Sequence, residues 1–176
     1  MKIDFKRTTK MGYKKSKKMK PKHKDFLLKE LPTQLRTLKE NQAPNFGLMT
    51  AHHMVEHLIF VTKSIQKRKG EPEAALNKSQ LYFRKFLDKG CPFEHRQKEG
   101  ATLNDLRTES IEAAVAILTE ATVKFYNLFE TNPNHKSYNI MMGAFNLKEI
   151  ELFNYQHGRW HLHQFGIIEE FAPLKL

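Results

Sequence analysis

Tyr155-Gln156-His157-Gly158-Arg159-Trp160-His161-Leu162-His163-Gln164-Phe165-Gly166 sets two histidines, His157 and His161, four residues apart. On a helix that spacing puts both imidazoles on one face, about 5–6 Å apart at Cβ, so both can turn toward one ion. Stepping outward by fours and threes meets Asn154, Ile150 and Leu147 on one side and Gln164 and Ile168 on the other. The track begins and ends apolar and carries polar, ligand-type residues in its middle. That is a core-facing stripe whose polar groups need partners. A metal ion is one such partner; hydrogen bonds that satisfy two core histidines are the alternative. His-x-x-x-His also arises by chance in a chain with 9 histidines.

The helix carrying this stretch begins at Asn146-Leu147-Lys148-Glu149, which has a capping residue and a reciprocal acid. Gly158 within it costs about 1 kcal/mol relative to alanine, and its missing side chain leaves room for a neighbour beside His157. A third ligand has to come from another element. Thr50 reads as the N-cap of a helix whose apolar stripe is Met54, Leu58, Val61 and Ile65, closed by Lys67-Arg68-Lys69-Gly70 with cations suited to the helix C-terminus. His57 lies on that stripe and is the natural third ligand, with His53, one turn earlier, as substitute; His52 points elsewhere. Either residue can instead line the core and bond a carbonyl.

Further out, Asp25 to Asn41 carries Leu28, Leu31, Leu35 and Leu38 at helical spacing, and Pro32 should kink that helix or set its true start. Pro44 and Gly47 mark the loop after it. Glu71 to Thr102 is irregular, interrupted by Pro72, Gly90, Pro92 and Gly100 around one helical run, Ser79 to Leu87; such a connection often covers a pocket. Thr108 to Thr131 holds a stripe of Ile111, Ala114, Val115, Leu118, Thr122, Phe125 and Leu128 or Phe129, and reads as core. Asn132 to Gly143 reads as loop, and the tail from Ile167 is apolar enough to pack on the body or on a second subunit. Four long helices and no alternating strand predict an all-α chain, a four-helix bundle with one long crossover.

Composition bounds the rest. The 176 residues suit one domain, 25–176, behind a basic leader, 1–24. The leader holds ten lysines and Arg7 against Asp4, a net +10 of the chain's +11. A nucleic-acid-binding domain spreads such charge over a folded face with interleaved aromatics; here Phe5 and Tyr13 are the leader's only aromatics, so a solvated, flexible segment is favoured over a polyanion-binding arm. No run is long enough to span a bilayer, and the N-terminus lacks the apolar segment and cleavage site of a secretory signal. Cys91 is the single cysteine, read as a small filler before Pro92; this excludes an internal disulfide and fits a cytoplasmic location.

Met49-Thr50-Ala51-His52-His53-Met54-Val55-Glu56-His57-Leu58, followed about a hundred residues later by the opening stretch, resembles the DinB-like superfamily of damage-inducible and YfiT-type bundles. It is most similar to a small bacterial branch sometimes labelled oxepin-CoA hydrolase-like. The resemblance spans roughly residues 25–168 and leaves the leader aside. It departs from the branch pattern at Trp160, where a histidine is usual, and at Met141-Met142-Gly143-Ala144-Phe145, where a Pro-x-Phe-Gly turn is usual. It implies that His57, His157 and His161 bind a divalent metal at the mouth of the bundle. Three imidazoles with open positions describe a catalytic centre; zinc is the default, and nickel or iron(II) would also fit. Such a centre activates water for hydrolysis or holds a thiolate for transfer, so the resemblance implies a metal-dependent hydrolase or a low-molecular-weight-thiol S-transferase acting on a small-molecule or thiol substrate. Gln164 and Glu56 are the candidates for orienting a ligand or moving a proton. The competing expectation is a non-catalytic metal-binding bundle that acts through a dimer surface or its basic arm.

Overall fold

The computed structural model describes residues 22–67, 75–89, 103–139, 142–169 and 171. In chain order these form α1 (Lys22–Asp25), a π-helical turn (Phe26–Glu30), α2 (Leu31–Leu35), α3 (Ala51–Gln66), α4 (Lys78–Lys89), α5 (Ile111–Thr131), β1 (Ser137–Asn139), β2 (Gly143–Phe145) and α6 (Leu147–Gln164). The chain is therefore mainly helical, with little strand. Residues 1–21 of the basic leader, Cys91, and most of the irregular connection (68–74 and 90–102) lie outside the described residues. Lys22, His23 and Lys24 belong to α1, so helix begins before Asp25, where the sequence places the domain boundary.

Pro32 explains the first irregularity. Its ring excludes the amide proton that Leu28 O would accept and crowds that carbonyl. The turn just before it is widened, with the Leu31 amide donating back to Phe26 O. The helix then stops at Leu35 rather than running to Asn41, because the amides of Thr37 and Leu38 bond back only three residues, to Gln34 and Leu35. Leu38 is still buried from that turn.

Caps fix the three long helices that matter to the site. Thr50 Oγ1 accepts from the His53 amide at the start of α3, Ser110 Oγ accepts from the Ala113 amide at the start of α5, and Asn146 and Glu149 form the reciprocal capping box at the start of α6. Each cap meets amides that the first helical turn leaves without a partner. The predicted α5 stripe is buried as read, with Phe129 rather than Leu128 facing inward at its end. The α4 helix, Lys78–Lys89, contains the short run read as Ser79 to Leu87.

One segment departs from expectation. Instead of loop alone, the stretch after α5 contains an antiparallel pair, Ser137 opposite Phe145 and Asn139 opposite Gly143. Strands of three residues are too short for alternation to signal. Arg84 of α4 holds the pair in place: its Nη1 donates to Met142 O and Ala144 O at 3.0 Å each, its guanidinium sits 4.8 Å over the Phe145 ring, and its Nη2 pairs with Glu149.

The core is lined by Leu35, Ala51, Met54, Val55, Ala114, Val115, Phe125, Phe145, Ile150 and Leu162, all 0–1 % exposed. The α3 helix lies along α5, and α6 touches α3, α4 and the α1–α2 segment. Beside His157, Gly158 admits a neighbour as anticipated: a Cβ there would stand 3.0 Å from Leu31 Cδ2 and 3.5 Å from Phe26 Cε1. Among the described residues no helix is long and apolar enough to cross a membrane.

Candidate metal centre

The α3–α6 contact brings the predicted residues together. His57 projects from α3, and His157 and His161 project from successive turns of α6. His57 Nε2 lies 3.1 Å from His157 Nε2, and His161 Nε2 lies 3.0 Å from the same atom. All three donor atoms fall within 4.8 Å of one another. His157 is 8 % and His161 1 % exposed, whereas His57 is half-buried.

Gln164 decides which nitrogen of His161 carries a proton. Its amide Nε2 donates to Phe46 O at 2.8 Å, which aims Oε1 at His161 Nδ1, 2.7 Å away. An amide oxygen only accepts, so Nδ1 carries the hydrogen and Nε2 is left with its lone pair directed at the other histidines. The loop before α3 reinforces this arrangement. The Asn45 amide donates to Gln164 O at 2.8 Å, meeting a carbonyl at the open end of α6. At Gly47, φ is +88°, and a Cβ would come within 2.8 Å of Gln164 Nε2. Only glycine fits there. Phe46 and His161 both pack on Trp160, at 5.4 and 4.8 Å between ring centres.

Electrostatics favour neutral, donating imidazoles. Burial holds His57 below the ordinary histidine range. Burial, together with the neighbouring His161 and His57, holds His157 well below it. Burial and His57 push His161 down to about 3, against a raising contribution from its bond to Gln164. With Nε2 of His161 unprotonated, a proton on His57 Nε2 bridges to His157 and leaves the His157 and His161 lone pairs facing each other, while a proton on His157 Nε2 lies between two acceptors and is aimed at only one. A cation would satisfy all three. In a tetrahedral site with metal–nitrogen bonds of about 2.0–2.1 Å, donors stand roughly 3.3 Å apart; the two pairs that include His157 are close to this at 3.1 and 3.0 Å, and all three atoms lie within 4.8 Å of one another. The donor set therefore fits a divalent ion.

The other candidates are engaged elsewhere. His53 accepts from Thr50 Oγ1 at Nδ1 (2.6 Å) and donates from Nε2 to Asn104 O (3.0 Å), so both nitrogens are used away from the cluster. His52, buried on the far side of α3, meets Glu40 at 2.9 Å and Thr108 Oγ1 at 2.7 Å. Glu56 Oε1 accepts from the amides of Arg107 and Thr108 and from Thr108 Oγ1, each at 2.7 Å. Burial acts to raise the Glu56 carboxyl, but these bonds outweigh it and hold the group below its ordinary value. Glu56 thus ties α3 to the segment entering α5.

A groove of about 800 Å³ opens beside the centre, lined by Met49, His57, Ile59, Phe60, Lys63 and Ile117 together with residues 103–105 and 107–108. Its far wall, residues 103–105 and 107–108, belongs to no periodic pattern, so the sequence marks no candidate site residue there. Searched against protein-family models, curated proteins and solved structures, the chain finds no match.

Proposed function

We propose that this protein is a metal-dependent hydrolase or low-molecular-weight-thiol S-transferase built on a DinB-like four-helix bundle, with the α1–α2 segment, α3, α5 and α6 as its rods and a divalent ion, zinc by donor type, held by His57, His157 and His161. The observation that carries the reading is the convergence of three imidazole Nε2 atoms from two helices, two of them sealed in the core and the third bordering a groove. Three neutral nitrogen donors with one open side suit a catalytic rather than a closed structural centre. An ion there supplies Lewis acidity, lowering the pKa of a coordinated water or thiol.

The chain's own residues have separable tasks. His157 and His161 hold position from the core, and Gln164 fixes the His161 ring through Nδ1. Such outer partners set ligand orientation and basicity. His57 borders the side from which a small molecule enters. Glu56 stands one residue away, yet its Oε1 is saturated by two amides and a hydroxyl.

That engagement of Glu56 favours a second reading, a non-catalytic metal-binding bundle acting as a dimer or as a polyanion binder through its basic N-terminal arm. A turnover screen with thiol and ester substrates, run on protein shown to carry its metal, separates the two. Turnover lost on removing the metal supports the enzyme. Silence across the screen with metal bound supports the binding module. Affinity for a polyanion that is unchanged on deleting residues 1–21 removes the arm from that account.

A further inference from the structure

The groove beside His57 has a chemical character of its own. Along α3 it is bordered by His57, Phe60, Ser64 and Lys67, one stripe in helical phase, with Ile59 and Lys63 beside it. Phe60 is 64 % and Leu103 40 % exposed, and with Ile59 and Ile117 they make an apolar floor open to solvent. The charges are placed unevenly. Along α3, Lys63 and Lys67 follow Ile59 and Phe60 on the side away from His57, while Arg107 lies on the loop wall with its amide bonded to Glu56, beside His57. At a rise of about 1.5 Å per residue, Lys63 is roughly 9 Å and Lys67 roughly 15 Å along the helix from His57.

Two carboxylates also line the groove. Glu56 is held by the 107–108 amides and the Thr108 hydroxyl, and Asp105 lies on the loop. Outside it, Lys63 is in electrostatic reach of Glu120, whose carboxylate is already bonded to Lys124 at 2.6 Å. Among the described residues, no ion pair engages Lys67 or Arg107. An apolar track with a metal-type centre at one end and cations at the other fits one shape of ligand.

We propose that the groove selects an elongated amphiphile whose apolar body lies on Ile59, Phe60, Leu103 and Ile117 and whose terminal anion, a carboxylate in the simplest case, meets Lys63 and Lys67. The reacting atom then sits at His57, about 9–15 Å from the anion by the helical rise. This selectivity rests on the functional reading above for what happens at the His57 end; the anion end stands on the groove alone.

The test pairs mercapto-octanoate with mercapto-octanol, equal in length and in thiol and differing only in the terminal group. Calorimetric titration of the metal-free full-length chain reads the groove without the metal. The carboxylate is expected to bind about tenfold more tightly than the alcohol, and a Lys63→Met/Lys67→Met variant to lose that preference while its affinity for the alcohol and its circular dichroism stay unchanged. Equal binding of the two ligands, or a preference that persists in the variant, overturns the proposal. A parallel titration of cobalt-loaded protein reads the other end, through a sulfur-to-metal charge-transfer band. If carboxylate preference is present but no band develops, the anion subsite stands and the thiol reading of the centre falls. If a band develops equally with both ligands at equal affinity, the centre stands and the subsite falls.

Discussion

Gln164 is the residue through which the candidate centre is tied to the rest of the fold. It orients His161 through Oε1, holds Phe46 O through Nε2, and closes the end of α6 through its own carbonyl. Gln164→Ala is expected to weaken metal affinity about 10–100-fold, as loss of an outer-shell partner does, read by competition with a chelator; unchanged affinity would show that His161 needs no orienting partner. Gly47→Ala should act on the same contact, because the added methyl would meet Gln164 Nε2 at 2.8 Å in a positive-φ position. The buried imidazoles also set a pH dependence. The His161 value is about 3 when folded, against an ordinary 6.5, so the unfolded chain binds more protons as pH falls. The contribution of His161 is complete above pH 6.5 and is lost progressively from there down toward pH 3. Urea midpoints of metal-free protein across that range should fall with acidification, and less steeply in His161→Leu; parallel slopes would contradict a buried neutral histidine. At this scale the His157–His161 pair, His57 and Gln164 were legible, because helical phase alone puts them on inward tracks. The engagement of His53 and Glu56 was not, since it depends on Asn104, Arg107 and Thr108, about fifty residues away and in no pattern.

The α6 helix joins a strong start to a tight crossing. Its Asn146–Glu149 capping box satisfies two orphan donors, and Glu149 also pairs with Arg84. Asn146→Ala should cost about 1 kcal/mol in urea unfolding, with the metal centre, nearly three turns away, unchanged. Gly158→Ala separates propensity from packing. Alanine gains up to about 1 kcal/mol in a helix, yet its Cβ would crowd the buried Leu31 at 3.0 Å, and overpacking costs about 1–3 kcal/mol. A net loss of stability is expected; a gain would mean that Leu31 yields freely. Caps and long stripes made α3, α5 and α6 readable, although α5 begins at Ile111, three residues after Thr108, because Ser110 supplies its cap. The π turn and the early end of α2 were not, because Pro32 states that the helix must be disturbed without stating how. The β1–β2 pair was missed for a different reason: it is held by Arg84, a side chain of another helix.

Across the whole molecule, the candidate centre lies where α6 meets α3, so an ion held there would link metal binding to folding. An ion that binds the folded chain and not the unfolded one raises stability by about 2.7 kcal/mol at a hundredfold excess over its Kd. The mainly helical class follows from hydrophobic periodicity, and the meeting of α3 with α6 follows from the donor chemistry of His57, His157 and His161. The groove had no such signal, since its walls come from one face of α3 and an aperiodic approach to α5. The central claim is that three histidines share one cation, and the most direct measurement is elemental analysis of protein purified without an affinity tag. Close to one equivalent of divalent metal per chain is predicted for the native sequence, with loss from both His57→Ala and His157→Ala/His161→Ala at preserved circular dichroism. Equal metal content in the native protein and both variants would contradict it.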